Sequence, residues 1–171
     1  MQPVLYYHRA DQIGVLRRLV IDVVDTTLAL IVSIMWGLTV MAFLEDALAG
    51  LAFLIGCTMF WFLYFVVLKG SRFGTLGYLI TGARIVNLRG ERPGYLALTG
   101  RLAFAMFGPA NFIIDVLWIS SDPGRQALRD KFAHTSVIRK NAVPAGTGRV
   151  IYPTYMVFGW TLMFAEVAPG A

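Results

Sequence analysis

An arginine and two aspartates stand at i, i+4 and i+7 in an otherwise apolar run: Arg18, Asp22 and Asp25. At about 100° per residue the three fall within about 60° of one another, on one face of a helix. Carboxylates in an apolar helix are costly and normally face a protein interior, paired or wet. Two chemistries fit. In one, Asp25 exchanges a proton or cation and Arg18 biases its pKa; in the other, the cluster neutralises itself and pins the helix at a membrane interface. Asp130 extends the set: it is adjacent to Arg129 in sequence, so the two do not face each other on a helix, and it is free to meet Arg18 or another basic group across the cytoplasmic interface. His134 stands four residues further on. Arg101, Asn111 and Asp115 lie in the two halves of a later apolar stretch. There they either pair with one another or line a short polar path with Asp22 and Asp25.

Other chemistry finds little footing. The single cysteine, Cys57, excludes an internal disulfide and any multi-cysteine metal site. His8 and His134 lie outside every long apolar run, which argues against haem held by intramembrane histidine. The glycine-rich stretch Gly70–Gly82 lacks the Gly-Lys-Ser/Thr ending of a phosphate-binding loop. No nucleophile–base pair or metal cluster stands out, so the expectation is a non-enzymatic protein with no cofactor and no metal.

The elements that must position these residues follow from composition. Hydrophobic residues make up 57% of the 171 and charged residues only 15%, with mean hydropathy +0.66. Soluble domains carry about 25% charged residues, so this composition predicts an integral membrane protein. Ala47 to Leu68 is a 22-residue run without a charge, stopped by Lys69; as a helix it reaches about 33 Å, a full crossing. Leu19 to Leu44 forms the other span, apolar except for the two aspartates. Trp36 near its far end suits the membrane interface. Glu45-Asp46 between them predicts a tight antiparallel hairpin. Acids within the first span and the lack of a small-residue cleavage site argue against a cleaved signal peptide.

Of the 15 Lys and Arg, Arg9, Arg17 and Arg18 precede the first span and none lies between the spans. Five follow the second: Lys69, Arg72, Arg84, Arg89 and Arg92. The positive-inside rule then puts the N-terminus in the cytoplasm, and the net charge of +5 is read as attraction to anionic lipid headgroups rather than to nucleic acid. The third apolar stretch, Tyr95 to Ser120, is broken by Gly108-Pro109 into pieces too short to cross, which predicts a re-entrant or interfacial helical hairpin. Residues 83–88 alternate in the strand manner, and 89–94 read as a tight turn with strand ends closing over it.

Val150 to Ala165 is a last apolar run of sixteen residues, after a linker over 141–148. It predicts a short C-terminal apolar helix. The fold class expected is therefore an all-α membrane protein: a transmembrane pair, a broken hairpin, a small cytoplasmic β-turn element and that last helix. A membrane domain over 1–145 would be followed by an extension over 146–171. Docking on other membrane-protein subunits would use Tyr155, Phe158, Trp160 and Phe164.

Three segments together resemble the RDD family of small bacterial membrane proteins, named for one arginine and two aspartates. Arg17-Arg-Leu-Val-Ile-Asp-Val-Val-Asp25 is similar to its opening helix, with Arg18 and Asp25 in the named positions. Residues 73–86 resemble its second signature, and residues 125–138 its closing one, with Asp130 as the second aspartate. The family usually has lysine after Thr-Leu-Gly; here Tyr78 stands there. The resemblance implies a bacterial inner-membrane location, and some members have been linked to cation/proton antiport. It leaves two functional expectations: an accessory subunit of a larger membrane complex (transport, respiratory or photosynthetic), or an antiporter built on Asp25. The second would require a homo-oligomer to enclose a path.

Overall fold

The computed structural model describes residues 4–105, 109–122, 125–157 and 159–170. Two long helices dominate. α1 runs Val15–Phe43, and α2 runs Asp46–Phe62 and continues as a π-helical segment over Leu63–Leu68. At 29 and 23 residues, α1 and the continuous Asp46–Leu68 helix are both long and apolar enough to cross a membrane. Their outward side chains, Leu30, Ile34, Leu38, Leu54, Ile55 and Met59 among them, are largely uncovered. A surface this apolar fits hydrocarbon and not water. Leu44 and Glu45 make the turn, and Asp46 in the first turn of α2 complements the helix dipole. The helices are stitched by Trp36 Nε1–H donating to the Ala52 carbonyl at 3.2 Å, and by Trp61 Nε1–H donating to Ser33 Oγ at 3.1 Å.

The remaining elements gather at the charged end of this hairpin. α3 is Leu76–Thr81, β2 Ala83–Asn87, α4 Tyr95–Ala105 and α5 Pro109–Ser121. α6 is Leu128–Phe132 and β3 Thr135–Arg139. At 11 and 13 residues α4 and α5 reach only about 16–20 Å, so neither crosses alone. Ile13, Ile21, Val66, Tyr78, Ile85, Leu98 and Val137 form a core where the two long helices meet α3, β2, α4 and β3.

Three departures from the sequence reading stand out. β2 does not close on a strand just after its turn; it pairs antiparallel with β3, Ala83 opposite Arg139 and Asn87 opposite Thr135. The turn itself is an Asx turn, with Asn87 Oδ1 accepting from the Arg89 and Glu91 amides and Gly90 at φ 78°. Second, the tail is not a helix. It forms β4 (Gly146–Ile151), β5 (Thr154–Val157), β6 (Trp160–Met163) and β7 (Glu166–Pro169). β-branched and aromatic residues dominate it, Pro153 interrupts it, and Gly159 turns at φ 82° between β5 and β6. Such a run packs a pleated surface better than a helix. Third, β4 is the centre of a three-stranded sheet with β7 on one side and the N-terminal strand β1 (Val4–Tyr6) on the other. The fold is thus a helical hairpin with a substantial β component, not all-α.

α3 lies directly on α1. A Cβ at Gly77 would sit 2.7 Å from the Ile21 carbonyl oxygen and 2.8 Å from the Ile21 Cα, and both atoms are backbone that cannot swing aside. Gly77→Ala is therefore expected to destabilise by about 1–3 kcal/mol through overpacking, read as a lower thermal midpoint in detergent. An unchanged midpoint would mean that α3 floats free of α1.

Candidate functional site

Arg18, Asp22 and Asp25 share a face of α1 but do not neutralise one another. Each reaches a different part of the chain. The Arg18 guanidinium pairs with Asp130 of α6; Nε donates to the Ile13 carbonyl at 3.1 Å and Nη2 to the Arg125 carbonyl at 2.8 Å. Asp130 takes Arg18 on one oxygen and Arg101 of α4 on the other. It also accepts the Ala127 amide at 3.1 Å, closing the first turn of α6. Arg101 goes on to donate to Thr135 Oγ1 at 2.6 Å. One carboxylate thus ties α1, α4 and α6 together, and all three charged groups are buried. Burial alone would push the Asp130 carboxyl up, but Arg101, Arg18 and Arg129 outweigh it and hold it far below the ordinary carboxylate range.

Arg101 therefore does not pair with Asp115 across the broken stretch. Asp115 lies beside Arg129 instead, 3.0 Å from Nε to Oδ2, and the Arg129 Nη2 pairs with Asp22. Two carboxylates sharing one buried guanidinium, with Asp130 close by, raise the Arg129 pKa against its burial. The Arg129–Asp115 contact is a poor hydrogen bond, and neither Asp115 oxygen has a hydrogen-bond partner among the described residues. Burial pushes the Asp115 carboxyl up to about 6, with Asp130 and Asp22 adding to the rise against Arg129 and Arg101. The Asn111 side chain lies outside the described residues.

Asp25 has a different environment. It is buried, and among the described residues it forms no ion pair. Its oxygens accept from Tyr64 Oη–H at 2.9 Å, Thr75 Oγ1–H at 2.5 Å and the Gly77 amide at 2.7 Å. Tyr64 Oη in turn accepts from the Leu76 amide at 3.1 Å. The first amides of α3 are thus satisfied by a carboxylate from α1 and a phenol from α2, so Asp25 acts as a cap supplied from another helix. Tyr64 sits in the π-helical segment, where the wider turn carries one extra residue and alters the phase of the helix.

A third group anchors the tail. Lys131 pairs with Asp122 at 2.6 Å and with Glu166, and donates to Tyr155 Oη at 2.9 Å. Burial lowers the ammonium's pKa, but these three partners reverse that and raise it. Tyr155 and Phe164, expected to be docking residues, are turned inward onto Trp118, and Phe164 also meets Phe132. They bind the tail to its own chain. Phe158 and the Trp160 side chain lie outside the described residues. His134 stands at φ 51° just past α6, exposed and apart from these groups.

Sequence reasoning missed Arg129 with Asp22, Tyr64, Thr75, and Lys131 with Glu166. Thr75 and Gly77 carried a signal, since both lie within the glycine-rich signature, but its partner was 50 residues away. The Asp115 carboxylate gives a prediction. An acid whose pKa is raised on folding takes up protons there first, so stability falls as pH rises from about 4 to 6. Asp115→Asn is expected to stabilise the protein by about 3 kcal/mol at pH 8, and the gain should vanish near pH 4. A gain independent of pH in denaturant titrations would refute this assignment.

The model described as the RDD family matches residues 13–134 of the chain. No curated protein and no solved structure matches it.

Proposed function

The chain belongs to the RDD family, and from that premise we propose that it is a non-enzymatic, multi-pass membrane protein, an accessory or structural subunit of a larger membrane complex. The observation that carries this reading is the commitment of the buried charges to partners within the chain. Arg18 and Arg101 clamp Asp130, Arg129 takes Asp22 and Asp115, and Asp25 caps α3. Groups spent on holding five helices together are poorly placed to exchange an ion. Two spanning helices also enclose no path of their own. The basic residues cluster at the hairpin end that holds the start of α1 and the end of α2, which favours an N-terminus on the cytoplasmic side of a bacterial inner membrane. With Tyr155 and Phe164 turned inward, the surface left for other subunits is the outside of the hairpin, together with Tyr152, Met156 and Met163.

The test is gentle extraction from native membranes, size separation and mass spectrometry of what travels with the chain. A constant set of larger membrane subunits in fixed ratio is the expected result. Migration alone or only as a homo-oligomer would count against it and favour cation/proton antiport. That second reading is built on Asp25, and the Asp115 carboxyl, pushed up to about 6 and without a hydrogen-bond partner among the described residues despite its ion pair with Arg129, supports it as a relay group.

A further inference from the structure

Beside the end of α2 the chain builds a second charged site, unlike the first in that no carboxylate among the described residues lines it. A cleft of about 340 Å³ lies between the segment after α2, strand β2, the turn at 90–93 and residues 140–141. Lys69, Arg72, Arg84, Arg92 and Lys140 all line it, and none of its described lining residues is acidic. Among the described residues none of these five cations is in an ion pair. The partners they do have leave charge over. Lys69 Nζ lies over the rings of Phe65 and Tyr78, at 5.6 and 5.0 Å from their centroids, and Arg72 lies over Phe73. Arg84 donates through Nη2 to the Ala142 carbonyl at 2.8 Å, while its Nε is buried without a partner. Five cations converging on one concave surface repel one another, a cost that an anion in the cleft would relieve. Burial, followed by repulsion from Arg101 and Arg129 outside the cleft, pushes the Lys69 ammonium down to about 8 against the attraction of Asp22 and Asp25.

Position narrows the anion. Lys69 directly follows the apolar helix Asp46–Leu68, so the cleft opens where a spanning helix reaches the headgroup layer. Exposed Phe73 and Leu79 flank it with apolar surface. We propose that this cleft binds a phosphate group, presented by the headgroup of an anionic phospholipid or as free phosphate. Guanidinium forks and ammonium groups supply the donors that phosphate oxygens need. The lipid source rests on the reading of the chain as a membrane protein; the free-phosphate source does not.

The test uses the full chain purified in a neutral detergent. Phosphatidylglycerol, phosphatidylcholine and inorganic phosphate are titrated separately, and bound ligand is counted by native mass spectrometry. Arg92 and Lys140 are exposed, so the double variant Arg92→Gln/Lys140→Gln leaves the fold intact, which an unchanged thermal midpoint verifies. Each cation is worth about fivefold in affinity for an anionic headgroup, so the double variant should bind roughly thirtyfold more weakly. Arg9→Gln/Arg149→Gln removes the same charge outside this cleft and should bind as the wild type does. Preference for phosphatidylglycerol over phosphatidylcholine assigns the lipid source. Binding of inorganic phosphate with no lipid preference assigns the free ion. Equal loss in both double variants, or no loss in the cleft variant, would overturn the proposal by reducing the effect to diffuse charge. Membrane insertion is read independently, by alkaline extraction of cell membranes, so its failure would not be mistaken for failure of the cleft.

Discussion

Asp130→Ala is expected to cost about 3–5 kcal/mol of folding stability, enough to unfold a domain of ordinary stability. The reason is what remains. Arg18 and Arg101 stay buried and charged after their shared carboxylate is gone, and a guanidinium cannot discard its proton to escape. The Ala127 amide loses its acceptor as well, so the first turn of α6 opens. Replacing all three charges together with Asp130→Leu, Arg18→Met and Arg101→Met should cost far less, because an apolar trio leaves no buried charge unmatched. The difference between the single and triple variants, from urea unfolding followed by circular dichroism in detergent, measures the penalty of orphaned charge. Equal losses would show that the guanidiniums find water or another anion. The pH dependence has a definite sign. With its pKa depressed on folding, Asp130 contributes stability that is fully present above about pH 4, the unfolded carboxylate value. That contribution is lost only as pH falls on toward the lower folded value. Mild acidification to pH 5 should leave this part of the fold unchanged.

The hairpin was legible because its signal is long. Twenty or more apolar residues in sequence have few alternatives, and a charged turn between two such runs fixes their antiparallel order. The helices on either side of Gly108-Pro109 were legible for a similar local reason, the missing donor and the clash of proline. So was the freedom of Asp130 from Arg129, which follows from helical phase alone. Charge pairing was not. From sequence, Arg18, Asp22 and Asp25 look like a self-contained cluster because spacing reports only who shares a face. Asp130 could be read as free to meet Arg18, but spacing cannot report that Arg101 shares its carboxylate or that α6 offers Arg129 to Asp22, a contact spanning 107 residues.

The tail misleads for a different reason. An apolar run of sixteen residues meets a hydropathy test for a short helix, yet the test ignores residue shape. Val150, Ile151, Thr154, Tyr155, Val157 and Thr161 favour a pleated surface. The deciding partner, β1, lies at the other end of the chain. The same long-range closure explains why β2 finds β3 and not a neighbour. Three helices intervene between them, and only the buried face around Ile85 and Val137 selects the register. Long-range pairings of this kind join the tail to the rest of the chain, and Lys131 with Glu166 and Tyr155 completes the attachment.

Asp25 carries the second large expectation, and the one that separates the two functional readings. Asp25→Ala removes the acceptor of three donors at once: Tyr64 Oη–H, Thr75 Oγ1–H and the Gly77 amide. A buried donor left unsatisfied costs about 1–3 kcal/mol. The two hydroxyls can rotate toward other acceptors, but the amide is fixed, so a total of about 3 kcal/mol is expected, with α3 loosening from α1. Asp25→Asn behaves differently. Its remaining carbonyl oxygen can keep the Gly77 amide and Tyr64, while its new NH₂ group meets a Thr75 hydroxyl able to accept; about 1 kcal/mol is expected. Thermal midpoints in detergent should therefore fall in the order wild type, Asn, Ala. If Asp25 serves only as a cap, the Asn variant keeps its partners in the membrane complex at nearly full occupancy. If Asp25 couples ions, the same variant abolishes proton flux in proteoliposomes despite its small loss of stability. The amide is nearly the carboxylate in shape but cannot take up and release a proton at ordinary pH, so flux and stability respond to different properties of one atom.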